Sequence, residues 1–123
     1  VTVYRKLDKY INSIKTLYTN DASISLQYAQ NSTIQACGHI VITGKGSYQS
    51  NLFAKDKIVY KNPLSNVKGG ILVAGKSIKA GSIGSNAGIH TCCRVLDKNG
   101  KVNARFYSGT VININNNIKI IKS

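Results

Sequence analysis

KGGILVAGKSIKAGSIGSNAGIHT, residues 68–91, is the stretch on which the fold turns. Its apolar pulses (Ile71-Leu72-Val73, Ile78-Lys79-Ala80, Ile83) are separated by glycine, serine and asparagine. The pulses are too short for helices, and glycine recurs too often for one. Each reads as a strand of three or four residues ending in a tight turn, where glycine takes backbone angles that side chains resist. Many brief, regularly punctuated strands predict a chain that winds, and winding leaves a period.

A period is present. Ile34-Gln35-Ala36 and Leu52-Phe53-Ala54 lie 18 residues apart, and Ile40-Val41-Ile42 and Ile58-Val59-Tyr60 repeat that offset. Ile24 stands 18 before Ile42, which predicts a partial turn upstream. The apolar-x-Ala signature returns at Ile78-Lys79-Ala80 and Val102-Asn103-Ala104, at offsets of 26 and 24 that read as corner insertions, one of them holding Pro63. Alternation turns Ile34, Ala36, Ile40 and Ile42 inward and Gln35 and Val41 outward. Triplets stacked at a fixed period suit a β-solenoid, in which each coil buries its inner residues against its neighbours. An antiparallel sandwich with accidental spacing is the competing fold.

Length supports one domain with a slender core. The chain has no methionine, even at position 1, so it reads as part of a longer protein. No apolar run is long enough to span a bilayer. Three cysteines (Cys37, Cys92, Cys93), two of them adjacent, make no disulfide framework and read as free thiols of a reducing cytoplasm. Seventeen Lys and Arg against four acidic residues, all Asp, give a net charge of +13. That excess fits either an anionic partner (nucleic acid, an anionic polymer or a membrane surface) or lysine kept on the surface for solubility and for strand edges that resist pairing. The lysines are dispersed and the aromatics do not cluster in sequence, which disfavours a nucleic-acid stacking platform.

Residues 1–20 differ from the rest. Tyr4, Leu7, Ile11, Ile14 and Tyr18 step by 3 and 4, with Arg5, Lys6, Lys9 and Lys15 off the seam. The pattern predicts an α-helix, either the end of a longer coiled coil or a cap across the open end of the solenoid. The solenoid domain then spans 21–123. Turns are expected at Asn31-Ser32, Gly44-Lys45-Gly46 and Asp56-Lys57, with a corner loop over 61–70 and a hairpin turn at Asp97-Lys98-Asn99-Gly100. Two final strands around Asn115-Asn116-Asn117 form a hairpin that caps the last coil.

Gly69-Gly70-Ile71-Leu72-Val73-Ala74-Gly75, then Ile78-Lys79-Ala80, Ile83-Gly84-Ser85 and Gly88-Ile89-His90-Thr91, followed by Phe106-Tyr107-Ser108-Gly109, form an ordered set. The set resembles the C-terminal domain of the bacterial flagellar assembly protein A family, first catalogued as a domain of unknown function. Ser108 departs from a proline common in the family. The resemblance covers about residues 34–120. It implies a right-handed β-helix next to a coiled coil, acting in the cytoplasm as a non-enzymatic scaffold tied to flagellar assembly or polar placement. A weaker likeness is to the solenoid domain of the cell-division inhibitor MinC, which dimerises and contacts partner proteins.

Chemistry-bearing residues are sparse. Without Glu, and with Asp8, Asp21, Asp56 and Asp97 scattered, no carboxylate pair is available for glycoside cleavage. The best candidate zinc set draws on His90, Cys92 or Cys93, with Cys37 or His39 from another coil. Alternation opposes it, because adjacent cysteines face opposite sides of a strand. No catalytic residue, metal or cofactor is therefore expected. The expected function is a protein-interaction scaffold, with a polyanion-binding module as the alternative. The partner would meet one outward ladder, Gln35, Phe53, Lys79 and Asn103, with Lys55 and Arg105 beside it. Phe53 is either the anchor of that face or tucked under a corner.

Overall fold

The computed structural model describes residues 23–85 and 89–121. The N-terminal helix expected over 1–20 lies outside the described residues. Ten strands follow: β1 Ile24–Gln30, β2 Thr33–Ala36, β3 Ile40–Ala54, β4 Lys57–Tyr60, β5 Asn66–Ala74, β6 Ser77–Ile83, β7 Thr91–Val95, β8 Lys101–Phe106, β9 Val111–Ile114 and β10 Asn117–Ile120. Every pairing among them is parallel except β9 with β10. Parallel pairing between successive windings excludes the antiparallel sandwich and gives an all-β solenoid of about four turns.

The chain winds around three faces. On the first, Ile34, Leu52, Leu72, Cys93 and Ile112 stack in register. On the second the column is Ile24, Ile40, Ile58, Ile78 and Val102. On the third it is Ala29, Ser47, Val67, Ile83 and Phe106. These columns point inward and make one core along the axis, with Tyr60 the largest side chain wholly inside. The period of 18 holds between Ile34 and Leu52 and between Ile40 and Ile58.

Elsewhere the step changes, and two expectations shift. Ile24 pairs with Ile40, not Ile42, and the strand absorbs the difference in an irregularity between Leu26 and Tyr28. Ile78-Lys79-Ala80 is not the successor of Leu52-Phe53-Ala54. Leu72-Val73-Ala74 is, while Ile78 follows Ile58. The apparent offset of 26 joined two faces.

Corners also differ from the sequence reading. The loop after β4 is shorter than 61–70, because β5 begins at Asn66. Asp97-Lys98-Asn99-Gly100 turns the chain from the first face to the second and makes no hairpin, since β7 pairs with β5 and β9 while β8 pairs with β6. The terminal hairpin is present. Its turn uses Asn115 and Asn116, both at positive φ (48° and 67°), a conformation asparagine tolerates. It extends the first face alone and leaves β8 as an edge carrying Lys101 and Arg105, charges that discourage pairing with another chain.

Hydroxyl side chains satisfy backbone groups at the corners, where the ladders are interrupted. Ser50 Oγ accepts from Ser32 N (3.2 Å) and donates to Tyr48 O (3.1 Å). Ser65 Oγ accepts from Gly81 N (3.0 Å), and Thr91 Oγ1 accepts from Gly69 N (2.8 Å). Thr110 Oγ1 donates to Ile83 O (3.2 Å). Ser50, Ser65, Thr91 and Thr110 are all buried, so each bond replaces one that water cannot supply.

Candidate interaction site

The pleat leaves alternate residues on the outside of each face, and the three exteriors differ. On the first face one outer column runs Gln35, Phe53, Val73, Arg94, Asn113 and its neighbour runs Thr33, Asn51, Ile71, Cys92, Val111. Phe53, Val73, Cys92 and Val111 are half-buried, and Ile71 is 43 % exposed. They form an apolar stripe on the outside of a sheet whose inner side is already packed. Phe53 is half-buried on this outer surface, in register with Val73.

On the second face the outer column is Ser25, Val41, Val59, Lys79, Asn103. Gln35 and Phe53 are thus rung neighbours, and so are Lys79 and Asn103, but the two pairs stand on different faces. The single ladder expected from sequence is two ladders. Lys55 sits at the corner between the first and second faces, where its N–H donates to Ala36 O (3.1 Å). Arg105 belongs to the third face, paired with Ser82, so these two positions are not equivalent. A cavity of about 400 Å³ at the second corner does bring Lys79, Asn103 and Arg105 together, with Lys61 and Pro63 on its wall.

The third face carries what the sequence reading missed. Its outer columns are Tyr28, Gly46, Asn66, Ser82, Arg105 and Gln30, Tyr48, Lys68, the second continuing to Tyr107, whose N–H donates to Ile83 O (2.9 Å). Two adjoining cavities of about 540 and 430 Å³ run along it. They share Leu64, Asn66 and Lys68; the first also has Tyr28, Lys45 and Tyr48, and the second Arg105 and Tyr107. The corner loop forms one bank. Arg105 Nη2 donates to Pro63 O (3.2 Å), and Leu64 stands 81 % exposed beside it. At mid-groove Asn66 Nδ2 donates to Ser82 Oγ (2.7 Å) and Gly84 O (3.3 Å).

Of the tyrosines among the described residues, Tyr60 alone is inside. There Ser47 Oγ lies 2.7 Å from its hydroxyl, and burial pushes its pKa well above the ordinary phenol value. The signal for the apolar surface was in the sequence, since Leu72-Val73-Ala74 repeats Leu52-Phe53-Ala54; Tyr28 and Tyr48 stand in different columns, and no repeat links them to Tyr107.

The cysteines separate as alternation requires. Cys93 is fully buried between Leu72 and Ile112, whereas Cys92 is on the outer side. Burial first, and the neighbouring Cys92 second, push the Cys93 thiol up to about 12, which keeps it protonated and unreactive at neutral pH. Among the described residues no group of three or more His, Cys, Asp or Glu is placed to hold a metal ion. Asp56 pairs with Lys76 (3.7 Å), and Asp97 Oδ1 accepts from Asn99 N (2.8 Å) at a different corner.

Parallel rungs stacked in register around a filled axis, with side chains presented in columns on flat exteriors, define a β-solenoid. Residues 12–99, well over half of the chain, match the Flagellar Assembly Protein A β-solenoid domain, and the chain belongs to that family. No curated protein and no solved structure matches it. No helix among the described residues is long and apolar enough to cross a membrane.

Proposed function

We propose that this domain is a non-enzymatic scaffold, a protein-interaction module that serves bacterial flagellar assembly or polar placement from the cytoplasm. Family membership supports the flagellar setting. The observation that carries the interaction reading is the apolar stripe on the first face, Phe53, Ile71, Val73, Cys92 and Val111, on a sheet whose inner side is already filled. A rigid parallel stack fixes the spacing of these side chains before any partner arrives, so little conformational entropy is lost on docking. A homo-oligomer formed through a coiled coil at the N-terminal heptads or through the solenoid would set two such faces in one particle, and the parallel crossovers favour right-handed winding.

Chemistry on a substrate is not part of this reading. The buried thiol is held protonated, and the two carboxylates at Asp56 and Asp97 occupy separate corners. The test is retention of cytosolic proteins on the immobilised chain after nuclease treatment, first in roughly 0.15 M and then in roughly 0.5 M salt, where the Debye length is only about 4 Å. A discrete flagellar or cell-pole component surviving both steps is the expected result. Loss of everything with nuclease or salt overturns the reading.

A further inference from the structure

We propose that the groove along the third face binds single-stranded nucleic acid. This site is separate from the apolar stripe of the first face and stands or falls independently of it. Three tyrosines dispersed in sequence meet on the third face: Tyr28 and Tyr48 line one cavity and Tyr107 the adjoining one, the two sharing Leu64, Asn66 and Lys68 as a common wall. Lys45 lines the first of these cavities, Arg105 the second and Lys68 both. Neither Asp of the described residues borders them: Asp56 faces Lys76 and Asp97 caps a turn. A groove of this kind combines the two elements that single strands need, cations that follow the phosphates and rings on which bases stack regardless of sequence.

Dimensions agree. Tyr48, Lys68 and Tyr107 belong to one outer column, and the core column beneath it runs Ser47, Val67, Ile83, Phe106. At about 4.8 Å per rung the Tyr48 and Tyr107 backbones stand about 14 Å apart, with Lys68 and Gly84 on the rungs between them. That length suits a few nucleotides, the low end of known single-strand site sizes of about 4–16. The Arg105 guanidinium is held by Pro63 O through one nitrogen, and its remaining N–H groups stay available for phosphate. An acidic peptide would use the cations but has no base to set against the rings, so the tyrosines favour the nucleic acid.

The test is fluorescence anisotropy of labelled twelve-residue oligothymidylate and oligouridylate with the full chain, across roughly 50–200 mM salt. Binding is expected, with a log–log salt slope of about −2 for three phosphate contacts on a single strand. Tyr48→Ala and Tyr107→Ala should each weaken it about 5- to 100-fold. Lys55→Ala and Lys98→Ala, off the groove, should change it less than about twofold, since they touch neither ring nor groove cation. Thermal midpoints are measured for every variant, and Lys68→Ala and Arg105→Ala serve where a tyrosine variant unfolds early. No binding at roughly 50 mM salt overturns the proposal, as do equal losses from on-groove and off-groove lysines. So do equal affinity for a duplex of the same length and equal affinity for an oligoglutamate peptide.

Discussion

Leu72 and Cys93 occupy the same inward position on successive rungs, yet one is inert to pH and the other is not. The Cys93 thiol is raised from an ordinary value of 9.0 to about 12, and the Tyr60 phenol is likewise raised from 10.0, both chiefly by burial. In the unfolded chain these groups ionise at their ordinary values, so above pH 9 the unfolded state binds fewer protons than the folded one. Stability is therefore full below about pH 9 and falls as pH rises toward the folded values, at up to about 1.4 kcal/mol per pH unit for each group. Urea titrations at pH 8 and pH 10.5 should show the midpoint dropping, and Cys93→Val should flatten that drop. A midpoint independent of pH over this range would mean that the thiol and phenol are not enclosed as described.

One strand can supply rungs to several faces, as β3 does with Ile40, Ser47 and Leu52, and glycine decides how tightly rungs approach at corners. Gly70 has φ of 85°, and a Cβ there would run into the carbonyl oxygen of Ser50 on the coil above. Gly70→Ala should cost more than about 1 kcal/mol, because strained backbone adds to the collision. Equilibrium denaturation checks this, and an unchanged midpoint would contradict the register between β3 and β5. The element scale also shows how far the sequence could be read. Inward and outward sides of Ile34–Ala36 and Ile40–Ile42 followed from alternation, because a strand's pleat is a local property. Which triplet stacks on which was legible for Ile34 with Leu52 and Ile40 with Ile58 at a step of 18 and for Ile78 with Val102 at 24, but not at the other junctions. Once corners took up extra residues, Ile78-Lys79-Ala80 looked like the next rung after Leu52-Phe53-Ala54 although Leu72-Val73-Ala74 holds that place. Corner length is set by contacts between coils, such as Arg105 to Pro63 O across 42 positions of sequence, and no local pattern records those. The tyrosine-lined groove was hidden for the same reason.

Across the whole molecule, the solenoid converts a chain of short strands into three flat exteriors with different chemistry. The first carries an apolar stripe among polar neighbours, the second changes from valine to lysine and asparagine along the axis, and the third sets Tyr28, Tyr48 and Tyr107 among Lys45, Lys68 and Arg105. Because each rung contacts only its neighbours, a substitution on the outside should alter recognition without loosening the stack. The +13 charge is then distributed in function as well as in space: the groove uses part of it, and the lysines at edges and corners keep the strands from pairing with other chains. The most direct measurement places a charge in the middle of the apolar stripe. Ile71→Asp leaves every inward column untouched, and its in-register neighbours Asn51 and Cys92 offer no cation to pair with the new carboxylate, so the thermal midpoint should stay within a few degrees of the parent chain. Retention of the salt- and nuclease-resistant cytosolic partner should fall at least tenfold, since an unpaired carboxylate would be buried at the contact. Retention equal to that of the parent chain, with the midpoint unchanged, would contradict the claim that the first face is the docking surface.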